Sequence, residues 1–189
     1  MAIAYHIIFS CYGFWLPNDP RGSWSDFVGK WELFKFGGPA KKPETSGSVA
    51  GVPHDHAVRI KAKRLLNYPP VILTGKQALS TARGLEMAVQ ESDYSIYACS
   101  ILPEHVHVVI GLHRKSAGQI VGHLKARAGK FIRMDCGWPT ERPVWTEGYW
   151  TAYLDNPEDV FRAISYVEAN PVKEGKQAQH WEFVRTFTC

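Results

Sequence analysis

The sequence predicts an α+β fold built around a central antiparallel sheet. Short segments rich in β-branched and aromatic residues alternate along the chain with longer amphipathic segments. Two of the longer segments open on a capping box. Of the 189 residues, 45% are hydrophobic, which suffices for a single domain over residues 1–189 with a substantial core.

Four segments have the composition of strands. Residues 2–12 carry short apolar runs of β-branched and aromatic side chains, typical of a buried strand. Residues 94–100 and 105–112 predict a hairpin, with a turn at 102–104 between them. Residues 143–150 are rich in aromatic side chains and predict a fourth strand or an extended segment.

Two amphipathic helices are predicted from their caps. The first begins at Thr74, which forms a capping box with Gln77, although Gly84 weakens the helical prediction. The second begins at the capping box of residues 116–119 and extends to about residue 134. The apolar stripes expected to face the sheet are Ala78, Ala82, Leu85 and Val89 in the first helix, and Ile120, Leu124 and Phe131/Ile132 in the second.

A third helix is predicted near the C-terminal end. Asn156 fits the N-cap and Pro157 the first helical position. We expect the helix to end near Asn170, because Pro171 disfavours helical geometry in the residue before it. Its core stripe is Val160, Ile164 and Val167. Residues 172–189 form a tail whose aromatic side chains, Trp181 and Phe183, are expected to pack back onto the body.

The order of these elements is strand, helix, strand, strand, helix, strand, helix. This order matches a ferredoxin-like split βαβ arrangement followed by a C-terminal helix. In that topology the first and third strands lie in the centre of the antiparallel sheet. Such a fold hosts many functions, so the function has to be argued from particular side chains.

Composition and charge restrict the classes of partner and compartment. The net charge of +4 favours an anionic partner only mildly. The four cysteines are scattered without a Cys-x-x-Cys pair, which predicts reduced thiols in a cytoplasmic protein. The sequence contains neither a long apolar run nor the pattern of a signal peptide.

A His-x-His pair lies in the predicted third strand. His105 and His107 would emerge from the same face of that strand, because alternate side chains share a face. Two imidazoles fixed on a rigid strand form half of a metal site or a clamp for phosphate. With eight histidines in the chain, one such pair can also occur by chance.

A second His-x-His pair, His54 and His56, follows a Gly/Pro/Ser-rich segment at residues 37–53. We expect that segment to be a long, mobile surface loop, which is either a lid or an inert insertion. The pair itself is expected to be structural or merely solvated, because no regular element is predicted to hold its side chains.

Basic side chains occupy the polar surface of the second predicted helix. They are Lys125, Arg127, Lys130 and Arg133. Four cations on one helix either keep the protein soluble or form a track for a phosphate backbone beside the histidine strand.

Three segments of the chain resemble one known family. Leu-Pro-Glu-His-Val-His-Val-Val, at residues 102–109, resembles the His-hydrophobic-His (HUH) motif of single-tyrosine transposases, especially the REP-associated tyrosine transposases. Residues 165–175 resemble the family's Tyr-Ile-x-x-Asn-Pro-Val-x-x-Gly segment. Residues 15–23 are similar to its Trp-Leu-Pro-Gly-Asp-x-Arg-Gly stretch. The three motifs occur in the family's order and span most of the chain, whereas residues 37–53 are the least family-like part.

The resemblance implies a site and a reaction. Tyr166 on the C-terminal helix would be the nucleophile, and Asn170 would complete a metal site with His105 and His107. Mg²⁺ or Mn²⁺ would be the cofactor, since an amide oxygen, water and phosphate oxygens suit such ions and two imidazoles favour Mn²⁺. Attack by Tyr166 would give a 5′-phosphotyrosine and a free 3′-OH. Tyr166 and Asn170 are four residues apart and are expected to share a helix face with Asp159, off the apolar stripe.

The resemblance also implies the substrate, single-stranded DNA near an imperfect palindromic hairpin. Phosphates would be bound by Arg21 and by the basic helix, and bases would stack on exposed aromatics. The candidates for stacking, which could equally be core residues, are Trp15, Trp24 and Trp31. Members of the family are monomers or dimers, so a homodimer is one expected state.

Two other functional classes are alternatives to a transposase. Histidine-triad nucleotide hydrolases need His-x-His-x-His, but Val109 occupies the third position. The other alternative is a non-catalytic nucleic-acid-binding module with a ferredoxin-like fold, in which the histidines are only packed.

Overall fold

A computed structural model describes residues 2–16, 31–35 and 55–188. Its elements, in chain order, are β1 (Ala4–Ser10), α1 (Trp31–Phe34), α2 (His56–Arg64), α3 (Gly75–Ser92), β2 (Ile96–Ile101), β3 (His105–Gly111), α4 (Ala117–Cys136), β4 (Trp150–Leu154) and α5 (Pro157–Lys173). Arg21, Trp24, His54 and the loop at 37–53 lie outside the described residues.

The four strands pair into one antiparallel sheet in the order β2-β3-β1-β4. The predicted α+β fold, with β1 and β3 at the centre, is confirmed. Helices α3 and α4 pack on one face of the sheet, over a core that includes Ile7, Phe9, Val106 and Val108. Helix α5 covers part of the other face, where Val160 and Val167 pack against Ala4, Ala98 and Val109. The sheet therefore separates a large apolar core from a second, smaller layer.

Both predicted capping boxes are present. Thr74 Oγ1 accepts the N–H of Gln77 at 3.3 Å, and Gln77 Oε1 accepts the N–H of Thr74 at 2.8 Å. Ser116 and Gln119 form the same pair of bonds at the start of α4. Asn156 caps α5 by accepting the N–H of Asp159 at 2.9 Å, as predicted. These local hydrogen bonds satisfy N–H groups that a helix start otherwise leaves unpaired.

The fourth strand lies further along the chain than the sequence predicts. Strand β4 begins at Trp150, where the predicted segment ends, and pairs with β1. Residues 143–149 are instead an extended approach to the sheet, which is the second form that the aromatic-rich sequence allowed. This segment is attached to the end of β1 by Thr146, whose N–H bonds the Ser10 carbonyl at 3.0 Å. Pro143 and Gly148 both weaken a regular strand here.

The C-terminal helix is longer than predicted. Helix α5 continues through Pro171 to Lys173 instead of ending near Asn170. Proline removes one N–H donor, but the last turn is still closed by the N–H of Glu174, which bonds the Asn170 carbonyl at 3.1 Å. Pro171 is buried, so its ring gains packing that a local sequence rule does not include.

Helix α2 is not predicted from the sequence. Three of its four apolar residues, Val58, Ile60 and Ala62, alternate as in a strand, and Ala62 is its only buried residue. Asp55 starts the helix by accepting the N–H groups of Ala57 and Val58 at 2.8 and 3.0 Å. His56 is therefore the first residue of a regular helix, whereas His54 lies outside the described residues, so the structural or solvated role expected for the pair stays a prediction.

The tail packs back onto the body, as predicted. Phe183 is buried in the large core and Trp181 packs against it. Gln179 bonds the N–H and the carbonyl of Ile101 through its amide, at 2.8 Å each. Val184 then forms a parallel bridge with Ile96, so the tail follows the edge of β2.

The described part of the chain contains neither a disulfide nor a helix that could span a membrane. Cys11, Cys99 and Cys136 form no disulfide within this part of the chain. None of the described helices combines the length and hydrophobicity needed to cross a bilayer.

Gly84 marks the closest approach between α3 and α4. A Cβ placed on Gly84 would lie 2.5 Å from both Cα and the backbone nitrogen of Ala128. Gly122 in α4 is a natural comparison, because a Cβ there meets nothing within 4 Å.

Lys125 attaches α4 to the segment before β4. Its Nζ donates to the carbonyls of Thr146, Glu147 and Gly148 at 2.7, 3.0 and 2.8 Å. Burial lowers the pKa of Lys125 to about 8, opposed by the charge of Glu147, so the ammonium group keeps its three donors at pH 7.

Gly84→Ala should lower the free energy of unfolding by about 1–3 kcal/mol, because the added methyl group forces two helix backbones apart. Gly122→Ala should instead raise it by about 0.4–1 kcal/mol, since it only restricts the unfolded chain. Urea denaturation followed by circular dichroism measures both changes. Equal effects of the two substitutions would contradict the close approach at Gly84.

Lys125→Met should lower the free energy of unfolding by about 1–3 kcal/mol, because three carbonyls lose their donor. Lys130→Met, on the exposed side of the same helix, is the matched control and should change it by less than about 0.5 kcal/mol. Thermal and urea denaturation test this pair. Unchanged stability in Lys125→Met would show that the three hydrogen bonds contribute nothing net.

Candidate active site

The alternation of β1 and β3 places three histidines on the sheet face that α5 covers. His105 is paired with Ser10 and His107 with Ile8, so these side chains share one face. His6 is paired with Val109 and lies diagonally across from His107 on the same face. The side chains between these histidines point to the opposite face and belong to the large core. A shift of the strand register by one residue would remove them from that core, so the register is strongly specified.

The histidine rings are in contact with one another. The ring centroids of His105 and His107 are 4.8 Å apart. The His6 ring stacks on His107 with a centroid distance of 5.4 Å and an interplanar angle of 25°. Nε2 of His6 lies 3.2 Å from Nδ1 of His107, within hydrogen-bonding distance. The predicted His-x-His pair is thus part of a three-histidine cluster.

Tyr166 of α5 lies over this cluster. Its ring centroid is 5.8 Å from that of His107 and 5.9 Å from that of His6. The side chain remains 40% exposed. The ammonium group of Lys173, two turns further along α5, lies 5.0 Å from the centroid of the Tyr166 ring. A phenol, a cation and three imidazoles therefore lie together between the sheet and α5.

Asn170 lies on the sheet-facing stripe of α5, and not off it as the sequence predicts. It is 7% exposed and shares the buried face with Ala163 and Val167. The spacings of three and four residues between these positions place them on one side of the helix. Nδ2 of Asn170 is buried without a hydrogen-bond partner among the described residues, and the same is true of Ser100 Oγ on β2. Unpaired buried polar atoms are costly, so they often mark a place for a ligand or water.

Burial controls the charge of the histidine cluster. It lowers the pKa of His6 to about 4. The pKa of His107 is held well below its ordinary value by burial first, and then by the neighbouring His105 and His6. Both rings are therefore neutral at pH 7, and each neutral ring keeps one nitrogen lone pair that can accept a proton or bind a metal.

The residues present are chemically suited to a divalent ion. His105 and His107 offer nitrogen donors, and the buried amide of Asn170 offers an oxygen, since its two ends exchange by a 180° rotation. No three His, Cys, Asp or Glu side chains in the described ranges are grouped as metal ligands. A complete coordination shell would therefore need the Asn170 amide together with water or phosphate oxygens.

The basic side chains of α4 do not lie between the sheet and α5, where the histidines and Tyr166 are found. Helix α4 packs on the opposite face of the sheet, because its apolar stripe belongs to the large core. Lys125 is bonded to three carbonyls, and Nε of Arg127 donates to Glu91 at 2.6 Å. Lys130 is exposed and Arg133 is partly buried. The cations of α4 therefore lie on the other side of the sheet from the three histidines, and their contact with a phosphate backbone stays a prediction.

Of the three candidate stacking tryptophans, only the side chain of Trp15 is described. It is buried, and its ring centroid lies 6.1 Å from that of His105. Trp15 therefore supports the histidine strand as a core residue, the second role that the sequence allowed.

Sequence reasoning missed His6, Trp150 and Lys173. The ring of Trp150 meets that of His6 edge-on at 5.2 Å. His6 could have been found from the sequence. It lies in a strand predicted to be next to the His105 strand, and its side chain points to the face opposite that of Tyr5 and Ile7. Trp150 could not have been found, since its position depends on where β4 begins.

Comparisons with known proteins identify a family for this chain and a similar fold. Residues 65–170, more than half of the chain, match the family described as transposase IS200 like. No curated protein matches the sequence significantly. A REP-associated tyrosine transposase, solved bound to a REP hairpin, is similar with a TM-score of 0.50 and 14% identity, over 92% of this chain and 69% of that one. A protein from Deinococcus radiodurans R1, provisionally named a transposase, is similar with a TM-score of 0.43 and 10% identity, over 94% of each chain.

The first of these structures supports the fold, and the family match covers the segment from α3 through most of α5, including His105, His107, Tyr166 and Asn170. The chain belongs to the IS200-like transposase family.

Proposed function

We propose that this transposase cleaves and rejoins single-stranded DNA beside a hairpin, through a 5′-phosphotyrosine on Tyr166. The observation that carries the proposal is the position of the Tyr166 ring, 5.8 Å from His107 on the sheet face that also carries His105. Two segments far apart in the sequence, β3 and α5, would thereby supply two metal-binding side chains and a nucleophile between the sheet and the helix. The solved REP-hairpin complex of a similar transposase supports the choice of substrate.

In the proposed step, the phenolic oxygen of Tyr166 attacks the scissile phosphorus. The oxygen–phosphorus bond to Tyr166 forms as the bond from phosphorus to the 3′ oxygen breaks. The phenolic proton is released to solvent, which reaches the partly exposed side chain, and the 3′ oxygen takes up a proton. One phosphodiester replaces another, so the bond energy is retained for joining a second strand.

His105, His107 and Asn170 would hold the ion, either Mg²⁺ or Mn²⁺. The chemistry that such an ion supplies is polarisation of the scissile phosphate and stabilisation of charge on the leaving 3′ oxygen. Neutral histidines are the form that binds metal, and the low pKa of His107 keeps it in that form. The unpaired Nδ2 of Asn170 supports a polar ligand at this position.

Phosphate groups of the substrate would be bound by cations. The ammonium group of Lys173 lies 5.0 Å from the centroid of the Tyr166 ring, so Lys173 is our first candidate for the scissile region. Among the residues predicted to bind DNA, Lys130 and Arg133 on α4 would contact phosphates at a distance from the site. Arg21 keeps the predicted role, whereas Lys125 and Arg127 are engaged with carbonyls and with Glu91.

Tyr166→Phe should abolish formation of a covalent protein–DNA adduct, because the attacking oxygen is removed while the ring is kept. The substrate is a hairpin oligonucleotide labelled at its 3′ end, since a 5′-phosphotyrosine retains the downstream fragment. Denaturing gel electrophoresis detects the adduct.

Tyr153→Phe is the matched control, because Tyr153 is an exposed tyrosine on β4 and should be dispensable for the adduct. An adduct that persists in Tyr166→Phe would rule out this nucleophile. If the wild-type chain forms no adduct with any hairpin but still binds hairpins, the non-catalytic binding module is the better interpretation.

Removal of divalent metal with EDTA should lower the rate of adduct formation by at least about 100-fold, with hairpin binding retained. Added Mn²⁺ or Mg²⁺ should restore it. His105→Ala and His107→Ala should show the same loss at saturating DNA, whereas His180→Ala, in the exposed part of the tail, should not. Adduct formation at the wild-type rate in EDTA would contradict a role for metal.

A further inference from the structure

His6 has a contact that the proposed reaction does not use. Its Nε2 lies 3.2 Å from Nδ1 of His107, and the two rings are 8% and 4% exposed. The contact joins residues 101 positions apart, through the pairing of β1 with β3. The contact uses Nδ1 of His107, which is a predicted metal ligand, and leaves Nε2 of the same ring for a different partner.

A hydrogen bond between two neutral imidazoles fixes the tautomer of each ring. A neutral imidazole has one N–H donor and one nitrogen acceptor. If Nδ1 of His107 donates, its Nε2 carries the lone pair. If Nε2 of His6 donates instead, the His107 proton resides on Nε2, and that nitrogen has no lone pair for a metal. The direction of one hydrogen bond thus decides whether His107 can act as a ligand through Nε2.

We propose that His6 is a positioning residue, whose Nε2 accepts the Nδ1–H of His107 and so leaves the Nε2 lone pair of His107 for the ion. This inference rests on the proposed function, because it presumes that His107 binds metal. Histidines that bind metals generally donate their other N–H to a partner that sets their tautomer and orientation.

The surroundings of His6 hold its ring in place. Trp150 of β4 meets it edge-on at 5.2 Å, and Tyr166 of α5 meets it at 5.9 Å with an interplanar angle of 65°. The backbone of His6 belongs to the central strand, paired with Val109 on one side and Ala152 on the other. A ring enclosed in this way presents Nε2 to His107 at a fixed distance, as a positioning residue must.

The tautomers can be measured directly in the metal-free protein. Long-range ¹H–¹⁵N correlation spectra of the full, ¹⁵N-labelled chain at pH 7.5 distinguish protonated from unprotonated ring nitrogens. We expect His107 to be protonated at Nδ1 and His6 to be unprotonated at Nε2. Spectra of His6→Gln assign the signals of His6 by their absence. Protonation of His107 at Nε2 would overturn the proposal.

Two substitutions of His6 distinguish the loss of a hydrogen-bond acceptor from the loss of packing. The amide oxygen of His6→Gln can occupy the place of Nε2 and accept the same hydrogen bond, whereas His6→Leu fills the space without an acceptor. The Kd for Mn²⁺, titrated by electron paramagnetic resonance without DNA, should rise by about 10–100-fold in His6→Leu and only a few-fold in His6→Gln. Ile7→Val, a buried change on the other face of β1, controls for loss of stability and should leave the Kd unchanged.

The outcomes distinguish this inference from the function on which it rests. If the wild-type chain does not bind Mn²⁺, the proposed metal site fails. If the wild-type chain binds Mn²⁺ and His6→Leu binds it equally well, only the role of His6 fails. Equal weakening in His6→Gln and His6→Leu would also contradict the acceptor role. Should His6→Leu not fold, the tautomers of the wild-type chain still decide the question.

Discussion

The pairing of β1 with β3 is the constraint on which the rest of the structure depends. In the observed register, Ile7, Phe9, Val106 and Val108 enter the large core, and the residues between them face α5. A slip of one residue would exchange the two sets and place the histidines in the apolar core. Burial of hydrophobic side chains on one face therefore positions the polar site on the other.

Helix α5 covers the histidine face of the sheet, and the polar groups buried between the helix and the sheet lower the stability of the fold. Its apolar residues, Val160 and Val167, bind it to the sheet, while Asn170 brings an amide into the same buried layer. On β2, Ser100 pairs with His107 of β3 and is also buried, and its Oγ has no hydrogen-bond partner among the described residues. Polar groups that are buried without partners destabilise a fold by about 1–3 kcal/mol each. A layer of this kind is consistent with a site kept for binding rather than for packing.

Membership of the IS200-like transposase family assigns a transposase role, and the fold decides where the basic side chains lie relative to the histidines. The cations of α4 lie on the face away from the histidines, because the same helix supplies Ile120, Leu124 and Ile132 to the large core. The cation next to Tyr166 comes from α5 itself, in the form of Lys173. The core that a helix covers therefore decides on which side of the sheet its basic residues lie, and the role of the α4 cations in DNA binding stays a prediction.

The sequence by itself determined the features that depend on neighbours within about four residues. The capping boxes of Thr74 and Ser116 and the shared face of His105 and His107 follow from local geometry, and the order of elements was enough to identify the central strands. Only the tertiary structure decided that His6 contacts His107 and that β4 begins at Trp150. These depend on strand register and helix packing between segments up to a hundred residues apart, where no local propensity distinguishes one partner from another.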